Sequence, residues 1–176
     1  LYVPLKGNGP FPAVLQACGH STNGKAAEKY QKAAILLAKN GFVSFVIDTY
    51  AQGERQSVKH TQIDIGAMIT GTDLVAYQAW DNIRAIDYLC SRPEVDPEKI
   101  GMTGNSGGGT QTMYMMGFDP RVKAAAPSCG LHTRERMFTW NGLADGCHNF
   151  AFEGMKLLEF ADYFILFAPK PALVLA

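Results

Sequence analysis

Two short apolar runs separated by an amphipathic segment constrain the fold more than any other feature of the sequence. The runs, Pro10 to Cys18 and Gly41 to Asp48, have the continuous apolar character of strands that are buried on both faces. Between them, Lys25 to Asn40 places small and aromatic residues on one helical face and Lys and Glu on the other. A strand, a helix and a strand in this order form a β-α-β unit, whose two strands are parallel.

The remainder of the chain continues this alternation. Thr72 and Asp73 are predicted to cap a second helix that runs to about Cys90. Its predicted buried side consists of Ala76, Trp80, Ile83, Ile86 and Cys90. Later strands are predicted in KIGMTG, VKAAAPSC and PALVLA, and a third helix runs to Met116. The segment from Thr49 to Gly71 is predicted to be a long loop with a short helical piece, and residues 130–167 an irregular excursion. We expect an α/β domain with a mostly parallel sheet flanked by helices.

Length and charge restrict the possible partners. A chain of 176 residues suits one domain, and its 16 basic residues balance its 16 acidic ones. Because no net charge attracts polyanions, we expect no nucleic-acid partner and no binding to an anionic membrane surface. No apolar stretch reaches the roughly 20 residues that cross a bilayer, so we expect a soluble protein. Its compartment and its oligomeric state are undecided.

The four cysteines, Cys18, Cys90, Cys129 and Cys147, have no spacing typical of a metal site. We therefore expect four buried small side chains, as is common for free cysteine. No metal or organic cofactor is predicted.

The first glycine motif, GHSTNGKA from Gly19 to Ala26, fits the GxxxxGK pattern of a phosphate-binding loop. It follows a predicted strand and precedes a predicted helix, and Asp48 ends the next strand as a magnesium-organising acid would. However, Ala26 stands where that loop needs a hydroxyl to hold the metal. Nucleotide binding is therefore a remote alternative.

The second glycine motif, GNSGG from Gly104 to Gly108, matches the GxSxG pattern between a predicted strand and helix. A tight strained turn at this point projects a serine hydroxyl from the carboxyl end of the sheet, and glycines let backbone and helix approach. The pattern indicates that Ser106 is a nucleophile and that the amide of Gly107 faces the oxyanion. The alternative is a structural turn in which Ser106 only caps the helix.

A nucleophile of this kind needs a second oxyanion donor from another loop. The segment ACGHS lies at the position of such a loop, and the backbone N–H of His20 is the best candidate. The side chain of His20 is left open between a substrate contact and an ordinary loop histidine.

Several segments, in this order, resemble the α/β-hydrolase superfamily, and within it the acetyl xylan esterase-like and dienelactone hydrolase-like branch. They cover most of the chain: CGHSTNGK, Asp48 to Arg55, Trp80 to Leu89, VDPEKIGMTGNSGGGTQT, DPRVKAAAPSC and APKPALVLA. The resemblance implies a single α/β-hydrolase domain over residues 1–176, incomplete at both ends. It also implies that Ser106 is the nucleophile and that Gly107 and the residue after Gly19 give the oxyanion amides.

The activity that the resemblance implies is hydrolysis of carboxylic esters through an acyl-enzyme intermediate on Ser106. Small acyl esters, especially acetyl esters of carbohydrates, are the expected substrates, with no metal or organic cofactor. A prolyl oligopeptidase-like peptidase uses the same motif, and a non-catalytic module of this fold is a further alternative. Either an apolar or sugar-stacking wall, or simple core packing, is expected of four aromatics: Phe138, Trp140, Phe150 and Phe152.

The chain departs from the family pattern in two ways. Cys18-Gly19 replaces the histidine-glycine pair common in the oxyanion loop. In addition, the family's acid and histidine base are expected beyond Ala176, so residues 1–176 alone are expected to be inactive. His132 and His148 follow Ser106, but we expect them to line or cover the pocket rather than to act as base. Three acids in the same region are candidates to orient these histidines: Asp145, Glu153 and Asp162.

Overall fold

The computed structural model describes residues 1–58, 60–139, 149–150 and 153–175. Its strands are β1 (Phe11–Ala17), β2 (Val43–Ile47), β3 (Val95–Asn105) and β4 (Val122–Ser128). Its helices are α1 (Glu28–Lys39), α2 (His60–Ile69), α3 (Leu74–Cys90), α4 (Gly107–Phe118), α5 (Arg134–Thr139) and α6 (Phe160–Phe167). Short 3-10 turns span Gly24–Ala26, Gly53–Arg55 and Gly154–Lys156.

The strands form a parallel sheet in the order β2-β1-β3-β4. Beyond β4, the predicted last strand pairs with it, because the amides of Leu173 and Leu175 donate to carbonyls of β4 at 2.9 and 3.0 Å. At the opposite edge, Tyr2 pairs with Ser44 in antiparallel fashion. This architecture confirms the predicted α/β class with its mostly parallel sheet.

The main hydrophobic core lies where the two central strands meet the long helices. Leu15 of β1 and Met102 of β3 are buried against Ile86 and Leu89 of α3 and Met115 of α4. Burying side chains of this size contributes roughly 1.5–3 kcal/mol each. The strongest packing therefore lies directly beneath the carboxyl ends of β1 and β3.

Helix α3 begins as predicted, and its predicted buried side is correct at Ile86 and Ile83, which lie in or against the core, but not along its whole length. The Asp73 carboxylate caps it by accepting a hydrogen bond from the Ala76 amide at 2.6 Å. Trp80 is 59% exposed and lies under the Arg84 guanidinium, so the prediction that it is buried is wrong. The polar residues Gln78 and Asn82 are buried instead. The buried side of α3 thus includes two polar residues that the apolar spacing did not indicate.

Two other segments contain more helix than predicted. The predicted loop from Thr49 to Gly71 contains the ten-residue helix α2. The predicted excursion over residues 130–167 contains α6, which packs on α4 through Phe160, Tyr163 and Phe167. None of the helices in the described ranges is long and apolar enough to cross a lipid bilayer.

The cysteines differ in exposure more than the sequence predicted. Cys18 is buried, Cys90 is half-buried and Cys129 is exposed. Cys147 lies outside the described residues. The prediction of buried cysteines is therefore right for Cys18 and wrong for Cys129, which follows the last residue of β4.

Candidate active site

The loops that follow β1 and β3 meet at the carboxyl edge of the sheet. The chain leaves β1 toward β2 on one side and returns to β3 on the other, so the strand order reverses between β1 and β3. In open parallel sheets, ligands bind in the crevice at such a reversal point. The topology therefore brings together the two glycine motifs found in the sequence.

Ser106 occupies a strained turn between β3 and α4. Its φ of 58° and ψ of −123° lie in a region that non-glycine residues rarely adopt. Its amide donates to the Ser128 carbonyl at 2.8 Å, and its carbonyl accepts from the Gly109 amide at 2.7 Å. A backbone conformation of this kind costs about 1–3 kcal/mol and persists only where its surroundings enforce it. The half-buried Ser106 is thus held by β4 and by its own helix.

The glycines on either side of Ser106 are required by close backbone contacts. A Cβ atom on Gly104 would lie 2.3 Å from the Gly108 carbonyl oxygen, and one on Gly108 would lie 2.1 Å from the Ala17 carbonyl oxygen. Because Cβ atoms essentially never approach that closely, any larger residue would push the turn away from the sheet. The glycines therefore set the height of Ser106 above the strand ends.

Gly107 is the first residue of α4. Amides in the first turn of a helix have no acceptor within the helix, and the helix dipole places positive charge there. The Gly107 amide directly follows Ser106, so it lies where a negatively charged oxygen bound at Ser106 would be stabilised.

The loop after β1 rests against the Ser106 turn. A Cβ atom on Gly19 would lie 2.2 Å from the Asn105 carbonyl oxygen and 3.1 Å from the Ser106 Cβ atom. The Gly19 amide donates to the Tyr30 hydroxyl at 2.7 Å, so it points into the protein. The exposed His20 follows. The structure thus brings the predicted oxyanion loop beside Ser106 and Gly107.

A sequence model of the dienelactone hydrolase family matches residues 3–140, a range that contains both glycine motifs. The chain belongs to the dienelactone hydrolase family. A curated relative, the Bacillus subtilis (strain 168) protein named "Putative hydrolase YtaP", is 29% identical over 136 residues. That match covers 72% of this chain and 46% of the relative, so the chain spans about half the length of the relative.

Solved structures with the same fold include several esterases. A methylesterase, BT1017, is 29% identical with a TM-score of 0.76, covering 98% of this chain and 37% of its own. An acetyl xylan esterase from Bacteroides fragilis NCTC 9343, described as putative, has a TM-score of 0.81 at 19% identity, covering 98% and 53%. An acetyl xylan esterase from Paenibacillus sp. R4 has a TM-score of 0.62 at 22% identity, covering 96% and 50%. The resemblance stated from the sequence is confirmed, and the α/β-hydrolase fold with it.

The GHSTNGKA loop does not have the geometry of a phosphate-binding loop in this dienelactone hydrolase family member. Amides of the loop are used internally: Ser21 donates to the Gln52 side chain, Lys25 to the Asp48 carboxylate, and Ala26 to the Asn23 carbonyl. The Lys25 ammonium is also paired with Asp48, at 2.5 Å. A phosphate cradle needs such amides to point at the ligand. The structure therefore argues against nucleotide binding here.

Asp48 holds this loop to the turn after β2. Its buried carboxylate accepts hydrogen bonds from the Lys25 amide at 2.6 Å and the Glu54 amide at 3.1 Å, besides the Lys25 ammonium. Burial raises the pKa of Asp48, but these donors outweigh burial and hold its pKa below the ordinary value. Asp48 is thus an ionised tie between two loops, in the place that the sequence suggested for a magnesium-organising acid.

Cys18, which replaces the family's histidine, turns its side chain away from the site. It is fully buried among Tyr30, Ala34 and Val46. Burial, with the Asp48 charge as a smaller cause, raises the pKa of the Cys18 thiol to about 12. The thiol therefore stays protonated at neutral pH and fills core space.

Among the described residues, the acids predicted as partners of His132 are bound to other groups. His132 packs on the Phe160 ring, and burial, followed by the charge of Arg134, lowers its pKa. Asp162 accepts from the Glu159 amide at the start of α6, and Glu153 accepts from two tyrosines. Asp145, Trp140, His148 and Phe152 lie outside the described residues, as does the side chain of Phe138.

The sequence did not predict a buried charged cluster that joins α4 to residues of the 130–167 segment. Glu153, 4% exposed, accepts from the Tyr114 hydroxyl at 3.0 Å and the Tyr163 hydroxyl at 2.6 Å, and pairs with Arg134 at 2.7 Å. Burial and the neighbouring Glu153 raise the pKa of both tyrosines, so both hydroxyls remain donors. Phe150, for which either a pocket wall or core packing was predicted, packs edge-on against Tyr114 with ring centroids 4.8 Å apart, which agrees with core packing. Among the described residues, no group of three or more His, Cys, Asp or Glu gathers as a metal site.

Proposed function

We propose that this chain carries the nucleophile and the oxyanion hole of a serine esterase. In the proposed reaction, the Ser106 hydroxyl attacks the carbonyl carbon of an ester, and the Gly107 and His20 amides stabilise the resulting oxyanion. The general base takes the Ser106 hydroxyl proton and passes it to the departing alcohol, so that an acyl-enzyme forms on Ser106. The same base then takes a proton from a water molecule, which attacks the acyl group, and returns the proton to the Ser106 oxygen as the acid leaves.

One observation carries the proposal: the positive φ of Ser106 at the sheet's reversal point. A serine that merely capped α4 would not need this conformation, and its side chain would accept from an amide of the first turn. Ser106 makes no such capping hydrogen bond among the described residues. Its strain instead supports a role in which the hydroxyl is presented to a ligand.

The general base is proposed to come from outside residues 1–176 in a longer protein. In support, Glu153 and Asp162 are engaged elsewhere and His132 packs on Phe160. The match also covers only 46% of the curated relative. On this proposal residues 1–176 alone are inactive, and His148→Ala leaves the activity of the full-length protein largely intact.

We propose small esters as substrates, with acetyl groups on carbohydrates as the first choice. The fold relatives named as acetyl xylan esterases support the acetyl ester, whereas the more similar methylesterase supports a methyl ester. The small group is the acyl part of an acetyl ester and the alcohol part of a methyl ester, so both esters have one small group beside the scissile bond. A panel of acetylated xylo-oligosaccharide, methyl uronate and p-nitrophenyl esters of increasing acyl length would rank them.

The test compares wild-type full-length protein with two serine variants on p-nitrophenyl acetate. Ser106→Ala is expected to reduce kcat by at least about 1,000-fold, the scale on which loss of a nucleophile acts. Ser128→Ala is the control, because it retains the backbone carbonyl that accepts from the Ser106 amide and removes a long side-chain hydrogen bond of 3.4 Å to Asn105 Oδ1. Equal activity in Ser106→Ala and the wild type would refute the proposed function.

A further inference from the structure

The peptide between Cys18 and Gly19 is fixed at both of its ends. The Gly19 amide donates to the Tyr30 hydroxyl, and the Cys18 carbonyl accepts from the Thr49 hydroxyl and from Gln111 Nε2, the latter at 3.3 Å. With this peptide plane fixed, the direction of the following amide, that of His20, depends only on the two backbone dihedrals of Gly19.

The donors to the Cys18 carbonyl belong to a buried polar chain. Gln111 Nε2 also contacts the Thr49 hydroxyl at 3.3 Å, and Asn82 Nδ2 donates to Gln111 Oε1 at 3.0 Å. All three side chains are nearly inaccessible: Thr49 is 4% exposed, Gln111 5% and Asn82 0%. A carbonyl only accepts, so it requires the Gln111 nitrogen to face it, and Asn82 then holds the Gln111 oxygen.

This chain connects the oxyanion loop to the helix that carries Ser106. Gln111 lies in the second turn of α4, Thr49 follows β2, and Asn82 lies on α3. Backbone contacts of 2.1 to 2.2 Å to a hypothetical Cβ on Gly108 or Gly19 leave no slack between loop and turn. A small rotation of the Cys18–Gly19 peptide would therefore move the next amide relative to Ser106.

Stability alone does not account for this buried polar chain. Asn82 Oδ1 has no hydrogen-bond partner among the described residues although Asn82 is fully buried. An unpaired buried polar atom is unfavourable, and aliphatic side chains of similar shape would fill this space without it. Placement of the Cys18 carbonyl is a gain that aliphatic residues would not provide.

We propose that Gln111 and Thr49, with Asn82 behind them, are positioning residues that orient the oxyanion loop for acyl transfer. This inference rests on the proposed function. They act through the Cys18–Gly19 peptide and do not touch the substrate. Since misplacement of a catalytic group by about 1 Å costs about 100-fold in rate, their loss is expected to lower kcat more than it raises KM.

The test uses near-isosteric substitutions in the full-length protein. Thr49→Val removes the hydroxyl and Thr49→Ser keeps it, while Gln111→Met removes both the nitrogen donor and the oxygen acceptor of the side-chain amide. The control is Gln16→Met, because Gln16 is also a buried amide, on β1, and donates to Ser44 at 2.6 Å away from the loop. Kinetics on p-nitrophenyl acetate, affinity for a boronic acid that forms a tetrahedral adduct, and the midpoint of thermal unfolding are measured.

We expect Thr49→Val and Gln111→Met to lower kcat by about 10- to 100-fold and to weaken boronic acid binding in parallel. Thr49→Ser and Gln16→Met should keep kcat near the wild-type value, even where Gln16→Met lowers the unfolding midpoint. The inference is overturned if Thr49→Val and Gln111→Met keep kcat and differ from the wild type only in stability. If the wild type lacks Ser106-dependent activity, the proposed function fails instead.

Discussion

Gly19 lies so close to Asn105 that a Cβ atom on the glycine would stand 2.2 Å from the asparagine's carbonyl oxygen. This contact joins the loop after β1 to the residue just before Ser106. It makes the distance between the proposed oxyanion amides and the proposed nucleophile a property of the backbone, not of a flexible side chain.

Gly19→Ala is therefore expected to push the loop away from Ser106 and to lower kcat by about 100-fold. The matched control is Gly66→Ala in helix α2, where a Cβ atom meets nothing within 4 Å. That control should keep full activity and gain up to about 1 kcal/mol of stability. Steady-state kinetics on p-nitrophenyl acetate measure both. A fully active Gly19→Ala would show that the contact does not set the site.

Protonation of Asp48 should make the protein less stable in acid. Its pKa is lower in the folded state than the ordinary value of 3.8, so its ionised form stabilises the fold above that value. The contribution is lost as the pH falls from about 4 through the folded pKa. At pH 7, Asp48→Asn should lower the free energy of unfolding by about 1–3 kcal/mol. Between about pH 5 and about pH 3, the variant should lose less further stability than the wild type. Chemical denaturation across this range would measure it, and parallel pH curves would contradict the assignment.

Glu153 should be among the most costly side chains to neutralise. The Arg134 side chain is only 12% exposed. Glu153→Gln removes its charged partner and should lower the free energy of unfolding by about 3–5 kcal/mol. Tyr163→Phe removes one donor and leaves the ion pair, so about 1 kcal/mol is expected. Urea denaturation compares the two variants. Equal losses would mean that the charge pair is not what holds the segment around Glu153 to α4 and α6.

The thiols should react with iodoacetamide in the order of their exposure. The Cys18 thiol is buried and its pKa is about 12, so it should remain unlabelled in native protein at pH 8, a value far below that pKa. Cys129 is exposed and should label first. Peptide mass spectrometry after timed labelling gives both rates. Rapid labelling of Cys18 under native conditions would contradict its placement in the core.

The sequence predicted those features that rest on local rules. Strands β1 and β2 and the helix between them follow from apolar runs and helical period, and the Ser106 turn follows from glycine spacing. In each case the signal lies within a few neighbouring residues. The outcome is a correctly predicted sheet and the correct meeting of the two glycine motifs.

What the sequence did not predict depends on contacts between distant residues. Gln78, Asn82 and Gln111 are polar, so their burial becomes visible only when α3 and α4 pack over the strand ends. Trp80 is apolar, so the sequence predicts it in the core. In the structure the ring lies at the surface, where the Arg84 guanidinium covers it. Buried polar pairs between separate helices leave no periodic signal in a single sequence.

The proposed nucleophile is tested most directly by peptide mapping after treatment of the full-length protein with a fluorophosphonate. The proposed function predicts one covalent adduct, on the peptide that contains Ser106, and its complete loss in Ser106→Ala but not in Ser128→Ala. An adduct on another serine, or an unmodified Ser106 in protein that hydrolyses esters, would contradict it.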